Sequence, residues 1–501
     1  MRTIRKNIIA NYLGQGWSAF MAVAFLPKYF QYLGVEAYGL VGVFAVVQAI
    51  IAILDMGMSP TLNREMARFE VGQHRPEGIR NLLRSLEIIC YLLALGSVLI
   101  VWLCGDYLAH GWLKAEHLSA EEVSKALVLM SIVAALRLCE GIYCGALFGL
   151  EQQVWYNFTY SVLSTLRYFG ALAVLSLYSA TIESFFMWQI VVSLLSLMVL
   201  AARVHHSLPK VMTPTKFSMR AILEIWKFAG GMMGIAFVTM LFLQLDKVLL
   251  SRLVSLSDLG YYTLAATAAN IIFMIVVPVT QAIYPRLVKF SLDVDTSNLA
   301  HIYHNTSQLV AVTTATASML LSFYSGGVIF MWSGNLNLVQ HAAPLLSILV
   351  IGSFLNGLSY LPCQLQIAHG WTSPLVKLNS LLIVLFVPSI VFLVSTFGTK
   401  GAAWGWVLIN AINLIAIIKL MHGRILPGHQ KKWYVSDLLM PTCGALIVMV
   451  LAQEYAPSNY SDRFQWVEFL IFTGVLGLVM STLLSSAIRY KAYKWIKRGS
   501  V

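Results

Sequence analysis

The sequence predicts an all-α polytopic membrane protein of about fourteen transmembrane helices, with two pseudo-symmetric six-helix lobes around a central cavity and a C-terminal helix pair. Three observations carry this expectation. Apolar runs of bilayer length recur along the whole chain, basic residues collect in alternate connections, and a pattern near the start returns in the second half. Of the 501 residues, 58% are hydrophobic and only 11% charged, against about a quarter charged in soluble domains. A soluble core cannot absorb that much apolar surface, so the bilayer is the solvent for most of the chain. The net charge of +12 would point to nucleic acid in a soluble protein. Here the positive-inside rule accounts for it, and no nucleic-acid partner is expected.

In chain order, Arg2, Arg5 and Lys6 precede an apolar run with no small-residue cleavage site, so the first span is read as uncleaved with a cytoplasmic N-terminus. Runs long enough to cross a bilayer follow at 8–30, 38–61, 86–104, 124–149, 158–178, 183–203, 226–252, 259–284, 307–331, 342–368, 377–398, 401–421, 437–455 and 465–487. Only Thr399 and Lys400 separate 377–398 from 401–421, which requires a tight hairpin. Alternating these runs puts 25 of the 34 Lys and Arg on one side and seven on the other. That asymmetry places both termini in the cytoplasm and supports an even number of spans. Loops are no longer than about 25 residues, too short for a folded soluble domain, so function lies within the membrane. The polar connection Ala201–Trp226, with Pro209, Pro214, Lys210, Lys216 and Arg220, is the expected linker between lobes 1–206 and 207–430. Residues 431–501 add two helices and a basic, aromatic tail, Arg489–Arg498, suited to anionic membrane lipid.

The repeat runs through Lys28, Glu36, Gly39 and Arg64 in the first copy and Lys247, Asp258, Gly260 and Arg286 in the second. Glu36 to Arg64 and Asp258 to Arg286 are both 28 positions apart, whereas Lys28 to Glu36 is 8 and Lys247 to Asp258 is 11, so the spacing is similar and not identical. Such duplication is a sign of two matched bundles.

Arg137 and Arg167 lie in mid-span, where a guanidinium stays charged and is too far from either end to snorkel, so each needs a hydrated interior, a ligand or an acid. Glu140, three residues after Arg137, offers a local partner, whereas Arg167 has none nearby in sequence. Lys28 and Lys247 lie toward the outer ends of their spans and either face the cavity or snorkel. Asp55, Glu140 and Asp246 are carboxylates that either couple transport to a proton or sodium ion or neutralise the basic residues. Six cysteines without a CxxC pair, and the lack of GxxxxGK[ST] and HExxH, give no support for a disulfide framework, a metal, ATP or another cofactor. Asp293-Val294-Asp295 is a three-residue match to a metal-dependent glycosyltransferase motif in an expected loop.

The segments NYLGQGWSAF (Asn11–Phe20), YLGVEAYGLVGVF, LDMGMSPTLNREMAR and QLDKVLLSRLVSLSDLGYYTLA (Gln244–Ala265) give the chain a family texture. It resembles the polysaccharide or O-antigen flippases of the multidrug/oligosaccharidyl-lipid/polysaccharide exporter superfamily. The resemblance implies a non-enzymatic flippase that moves an undecaprenyl-diphosphate-linked oligosaccharide from the cytoplasmic to the periplasmic leaflet by alternating access. It also implies work alongside other polysaccharide-assembly proteins. Members commonly have twelve spans; a count of fourteen looks more like the related lipid II flippases, whose extra pair is associated with the lipid tail. Two rivals stand beside this reading. A drug/cation antiporter of the same superfamily would favour an acidic, aromatic cavity, and a polysaccharide polymerase or ligase would need a larger external loop than Gly105–Val123.

Overall fold

The structure is a computed structural model that describes residues 2–70, 72–211, 215–219, 223, 237–238, 241, 244–292, 296–371 and 373–485. Most of the run 226–252, together with Pro214, Arg220, Asp293-Val294-Asp295 and the tail Arg489–Arg498, therefore lies outside the described residues. Among the described residues the chain is helical throughout, with one isolated bridge between Lys114 and Ser255. Ten of its helices are long and apolar enough to cross a membrane, or eleven if one bent pair is a single span. The protein is thus a multi-pass helical membrane protein. Those ten do not establish the expected fourteen. Arg2–Leu33, which carries Asn11, Gln15 and Lys28, is not among them, and Ser373–Arg424 counts once although it is broken.

The chain divides into two compact units, Met1–Gly260 and Tyr261–Val501. The first contains α1 (Arg2–Leu33), α2 (Val35–Ile53), α3 (Met58–Glu70), α4 (Pro76–Tyr107), α5 (Ala120–Gly149), α6 (Gln153–Leu177) and α7 (Ile182–Ser207). In lipid, helices associate through polar pairs and close backbone approach. Along α1 and α6 the polar pairs are Asn11 with Gln153 (3.0 Å), Trp17 with Thr165 (2.9 Å) and Ser18 with Ser164 (3.1 Å). The Tyr29 hydroxyl also donates to the Tyr168 carbonyl at 2.5 Å. Close approach comes from α5, where Gly141, Gly145 and Gly149 recur every fourth position and form a groove for α3. A Cβ on Gly145 would strike the Ser59 carbonyl, and one on Gly149 would strike that of Asn63. The start of α5 is set by Ser119: its hydroxyl accepts from Glu122 N (3.2 Å) while the Glu122 carboxylate accepts from Ser119 N (2.8 Å).

One expected span is interrupted. Instead of crossing from 38 to 61, α2 stops at Ile53, and a turn with positive φ at Met56 (47°) and Gly57 (76°) leads into the amphipathic α3. Asp55 Oδ1 caps α3, accepting from Ser59 N (3.1 Å) and Ser59 Oγ (2.5 Å).

Helix α8 (Leu256–Ala269) leads into the second unit, which holds α9 (Ile271–Leu292), α10 (Thr296–Phe323), α11 (Ser325–Ser333), α12 (Leu336–Ala368), α13 (Ser373–Arg424), α14 (Met440–Ala452) and α15 (Arg463–Leu484). Helices α10 and α11 meet at an 82° bend. Within α13, Gly398 takes φ 59° and ψ −142°, which only glycine adopts readily, and the chain doubles back. A Cβ on Gly405 would pack on Ile390 and Leu393, as an antiparallel hairpin requires. The turn expected at Thr399-Lys400 thus begins one residue earlier. A core of Tyr303, Leu361, Met421, Trp433 and Ala445 joins α10, α12, α13 and α14. The segment Trp433–Leu439 ahead of α14 is π-helical.

Candidate functional site

The first unit brings the two mid-span arginines into one polar patch. Arg137 on α5 donates from Nη1 to Gln48 Oε1 on α2 (2.7 Å) and from Nη2 to Gln189 Oε1 on α7 (3.5 Å), with its guanidinium 5.2 Å above the Phe44 ring. Arg167 on α6 is 9% exposed; its Nη2 lies 3.8 Å from Glu140 Oε1 and 3.4 Å from Ser193 Oγ. The local pairing of Arg137 with Glu140 is therefore not the observed one. Gln48 and the Phe44 face draw the Arg137 guanidinium toward α2, and the carboxylate is left to Arg167 on the neighbouring helix.

Two guanidinium groups and one carboxylate leave a net positive charge. The pairing is also incomplete: Arg137 Nε, Arg167 Nε and Glu140 Oε1 are buried and make no hydrogen bond among the described residues. A buried N–H donor without an acceptor costs about 1–3 kcal/mol, more when charged, so such atoms are commonly matched by water or a ligand. The chemistry on offer is that of an anion receptor. Planar donors in fork geometry suit phosphate oxygens, and the glutamines and serine between them suit hydroxyl groups.

The other expected site residues have partners of their own. Lys28 is exposed and donates to Gln31 Oε1 (3.3 Å), while Lys247, half-buried, donates to Gln244 Oε1 (3.2 Å), so each lysine is held by a glutamine one turn away. Asp246 is buried beside Lys247 in the helical segment 244–253. Asp55 caps α3 through Ser59 at the break between α2 and α3.

Sequence reasoning missed Gln48, Gln189 and Ser193. The signal was available: Gln48 interrupts the apolar stretch FAVVQAII, and Gln189, Ser193 and Ser196 follow helical spacing on one face of α7. Buried Glu87 accepts from Tyr143 Oη (2.8 Å), lies 2.9 Å from His205 Nε2 and is 3.4 Å from Arg84 Nη1. Buried Glu65 is held likewise by Arg68 (3.1 Å) and His74 (2.6 Å). A cavity of about 670 Å³ between α6 and α7, lined by Val162, Phe169, Val174 and Trp188, is apolar and suits hydrocarbon rather than a charged group.

The chain is 21% identical over 415 residues to a Shigella flexneri protein named "Putative O-antigen transporter", covering 82% of this chain and 97% of that one. Among solved structures it superposes on the lipid II flippase MurJ in an inward closed conformation with a TM-score of 0.71 at 15% identity, over 97% of this chain and 98% of that one. It also superposes on an inward-facing multidrug resistance MATE family transporter of the MOP superfamily with a TM-score of 0.65 at 17% identity, over 83% of this chain and 96% of that one. The last two likenesses establish the fold alone. The family model described as polysaccharide biosynthesis protein matches residues 4–291, more than half of the sequence. The chain therefore belongs to the polysaccharide biosynthesis protein family.

Proposed function

We propose that the protein is a flippase that carries an undecaprenyl-diphosphate-linked oligosaccharide from the cytoplasmic to the periplasmic leaflet of the bacterial inner membrane, with both termini cytoplasmic. The observation that carries the reading is the pair of buried, unsatisfied Nε–H donors on Arg137 and Arg167 within a patch of net positive charge. A diphosphate in hydrocarbon is prohibitively costly. Guanidinium donors replace the lost water through charge-assisted hydrogen bonds, which are about twice as strong as neutral ones. The isoprenoid tail stays in lipid while the headgroup crosses. Family membership and the transporter relative from Shigella flexneri support the substrate class.

In this reading the lobes 1–206 and 207–430 alternate access, 431–501 is an addition to them, and Lys28 and Lys247 are further headgroup contacts along the path. The net positive charge favours this substrate over the cationic drugs of an antiporter, which an acidic site would hold better.

The test is movement of a fluorescent lipid-diphosphate sugar across proteoliposomes. Wild-type protein transports it, and Arg137→Ala and Arg167→Ala lose transport while eluting as folded protein. Undiminished transport in both variants would remove these residues from the site. No movement with folded, bilayer-inserted wild type would end the reading.

A further inference from the structure

The second unit holds a buried carboxylate wired to its surface by two imidazoles. Asp437, on the π-helical segment before α14, is 1% exposed. Its Oδ2 is hydrogen-bonded to His304 Nδ1, and its Oδ1 accepts from Gln308 Nε2 at 2.8 Å. Gln308 is itself fixed by Ser485, which donates to its Oε1 at 2.6 Å. On the other side of the ring, His304 Nε2 lies 2.8 Å from His429 Nδ1. His429 and His304 line an open cavity of about 550 Å³ whose wall also includes His301, Thr296 and Lys432. Runs of π-helix recur at functional positions because they break the regular backbone pattern.

From this geometry we infer that Asp437, His304 and His429 form a proton-loading site that takes its proton from the cavity and couples proton movement to transport. The inference rests on the proposed transport of a lipid-linked sugar and assigns its coupling ion. A carboxylate only accepts, so His304 Nδ1 carries a hydrogen toward Asp437. The 2.8 Å contact between the two imidazoles holds one more hydrogen. In the unloaded state that hydrogen belongs to His429 Nδ1, and His304 Nε2 accepts it. A proton from cavity water then binds the lone pair of His429 Nε2 as the Nδ1 hydrogen passes to His304 Nε2. The product is a His304 imidazolium against the Asp437 carboxylate beside a neutral His429; one proton has entered and no other bond has changed. The group's charge goes from −1 to zero.

That change is what a coupling site needs. An unpaired carboxylate in a low-dielectric interior is costly, whereas a neutral, hydrogen-bonded pair is tolerated there, so loading favours states in which cavity water is withdrawn. The groups facing the relay fit the assignment. Tyr303 and His301 come from α10, His422 from α13, and Lys432 and Tyr434 from residues 430–439. Burial, followed by the neighbouring His304 and Lys432, pushes the His429 imidazole below its usual range, which favours the neutral form of the outer ring in the unloaded state. The connections 285–306 and 419–436 that hold the cavity are ones the basic-residue pattern assigns to the cytoplasm.

Two measurements test the proposal. In proteoliposomes, the ratio of lipid-sugar transport with and without an imposed pH gradient should exceed one for wild type and fall to one for His304→Gln, His429→Gln and Asp437→Asn. A wild-type ratio of one with active transport, or an unchanged ratio in all three variants, overturns the coupling while leaving the flippase reading intact. The second measurement is histidine-selective NMR titration of the purified full-length chain, which does not depend on transport. The ring signals of His304 and His429 should move together on one curve that changes in Asp437→Asn, because the carboxylate faces the His304 ring. Two independent curves that ignore Asp437→Asn overturn the site. His429→Gln, at the half-buried end, serves if Asp437→Asn does not fold.

Discussion

Glu140 shares a helix with Arg137, yet its carboxylate meets Arg167, with 3.8 Å between Oε1 and Nη2. This cross-helix pairing ties α5 to α6 and leaves Arg137 neutralised by no acid of its own among the described residues, held instead by amide oxygens and an aromatic face. The two arginines therefore play different parts. Arg137 is the more available cation, and Arg167 is partly committed to the fold.

The first prediction follows from fork geometry. Arg137→Lys should fail to restore what Arg137→Ala removes, because an ammonium cannot bond Gln48 and Gln189 while offering donors to a diphosphate. Loss of one charged hydrogen bond, about 1.5–3 kcal/mol, should reduce the initial rate of lipid-sugar movement by roughly tenfold or more.

The second concerns the pair. Arg167→Ala strands Glu140, and breaking a buried pair costs about 3–5 kcal/mol; the loose contact puts this one near the lower end. Thermal unfolding in detergent should show a lower midpoint for Arg167→Ala, largely recovered in the double variant Arg167→Ala/Glu140→Gln. Transport should stay low in both, which separates folding from binding.

The third addresses the glycine groove. Gly145→Ala places a Cβ against the Ser59 carbonyl, part of backbone that cannot swing aside as a side chain would. Overpacking of this kind costs about 1–3 kcal/mol. Gly78→Ala, where a Cβ meets nothing, should leave the unfolding midpoint unchanged or slightly raised. Equal midpoints for the two variants would show that α3 does not need the groove.

The fourth distinguishes a cap from an ion ligand at Asp55. Asparagine caps about as well as aspartate, whereas alanine forfeits about 1 kcal/mol. Asp55→Asn should keep wild-type stability and pH-gradient response, and Asp55→Ala should lose stability alone. Loss of the gradient response in Asp55→Asn would return Asp55 to the coupling site.

Much of the architecture was legible because the bilayer reads sequence locally. A run such as LLIVLFVPSIVFLV has one low-energy place whatever surrounds it, and the hairpin at Gly398 follows from two such runs with almost nothing between them. The break at 54–57 was less legible because the apolar stretch continues past it, and only the turn through Met56 and Gly57 reveals that α2 has ended.

What the sequence determined by itself, then, is that the chain lives in a membrane as helices, that Arg137 and Arg167 need a reason to be there, and which family texture surrounds them. Tertiary structure alone decided that Glu140 belongs to Arg167, that Gln48 and Gln189 hold Arg137, and that Asp437 reaches His429 through His304. The reason is physical. Hydropathy is a property of each segment against lipid, whereas the partner of a charge is fixed by the packing of helices that can lie more than a hundred residues apart, and no local spacing encodes it.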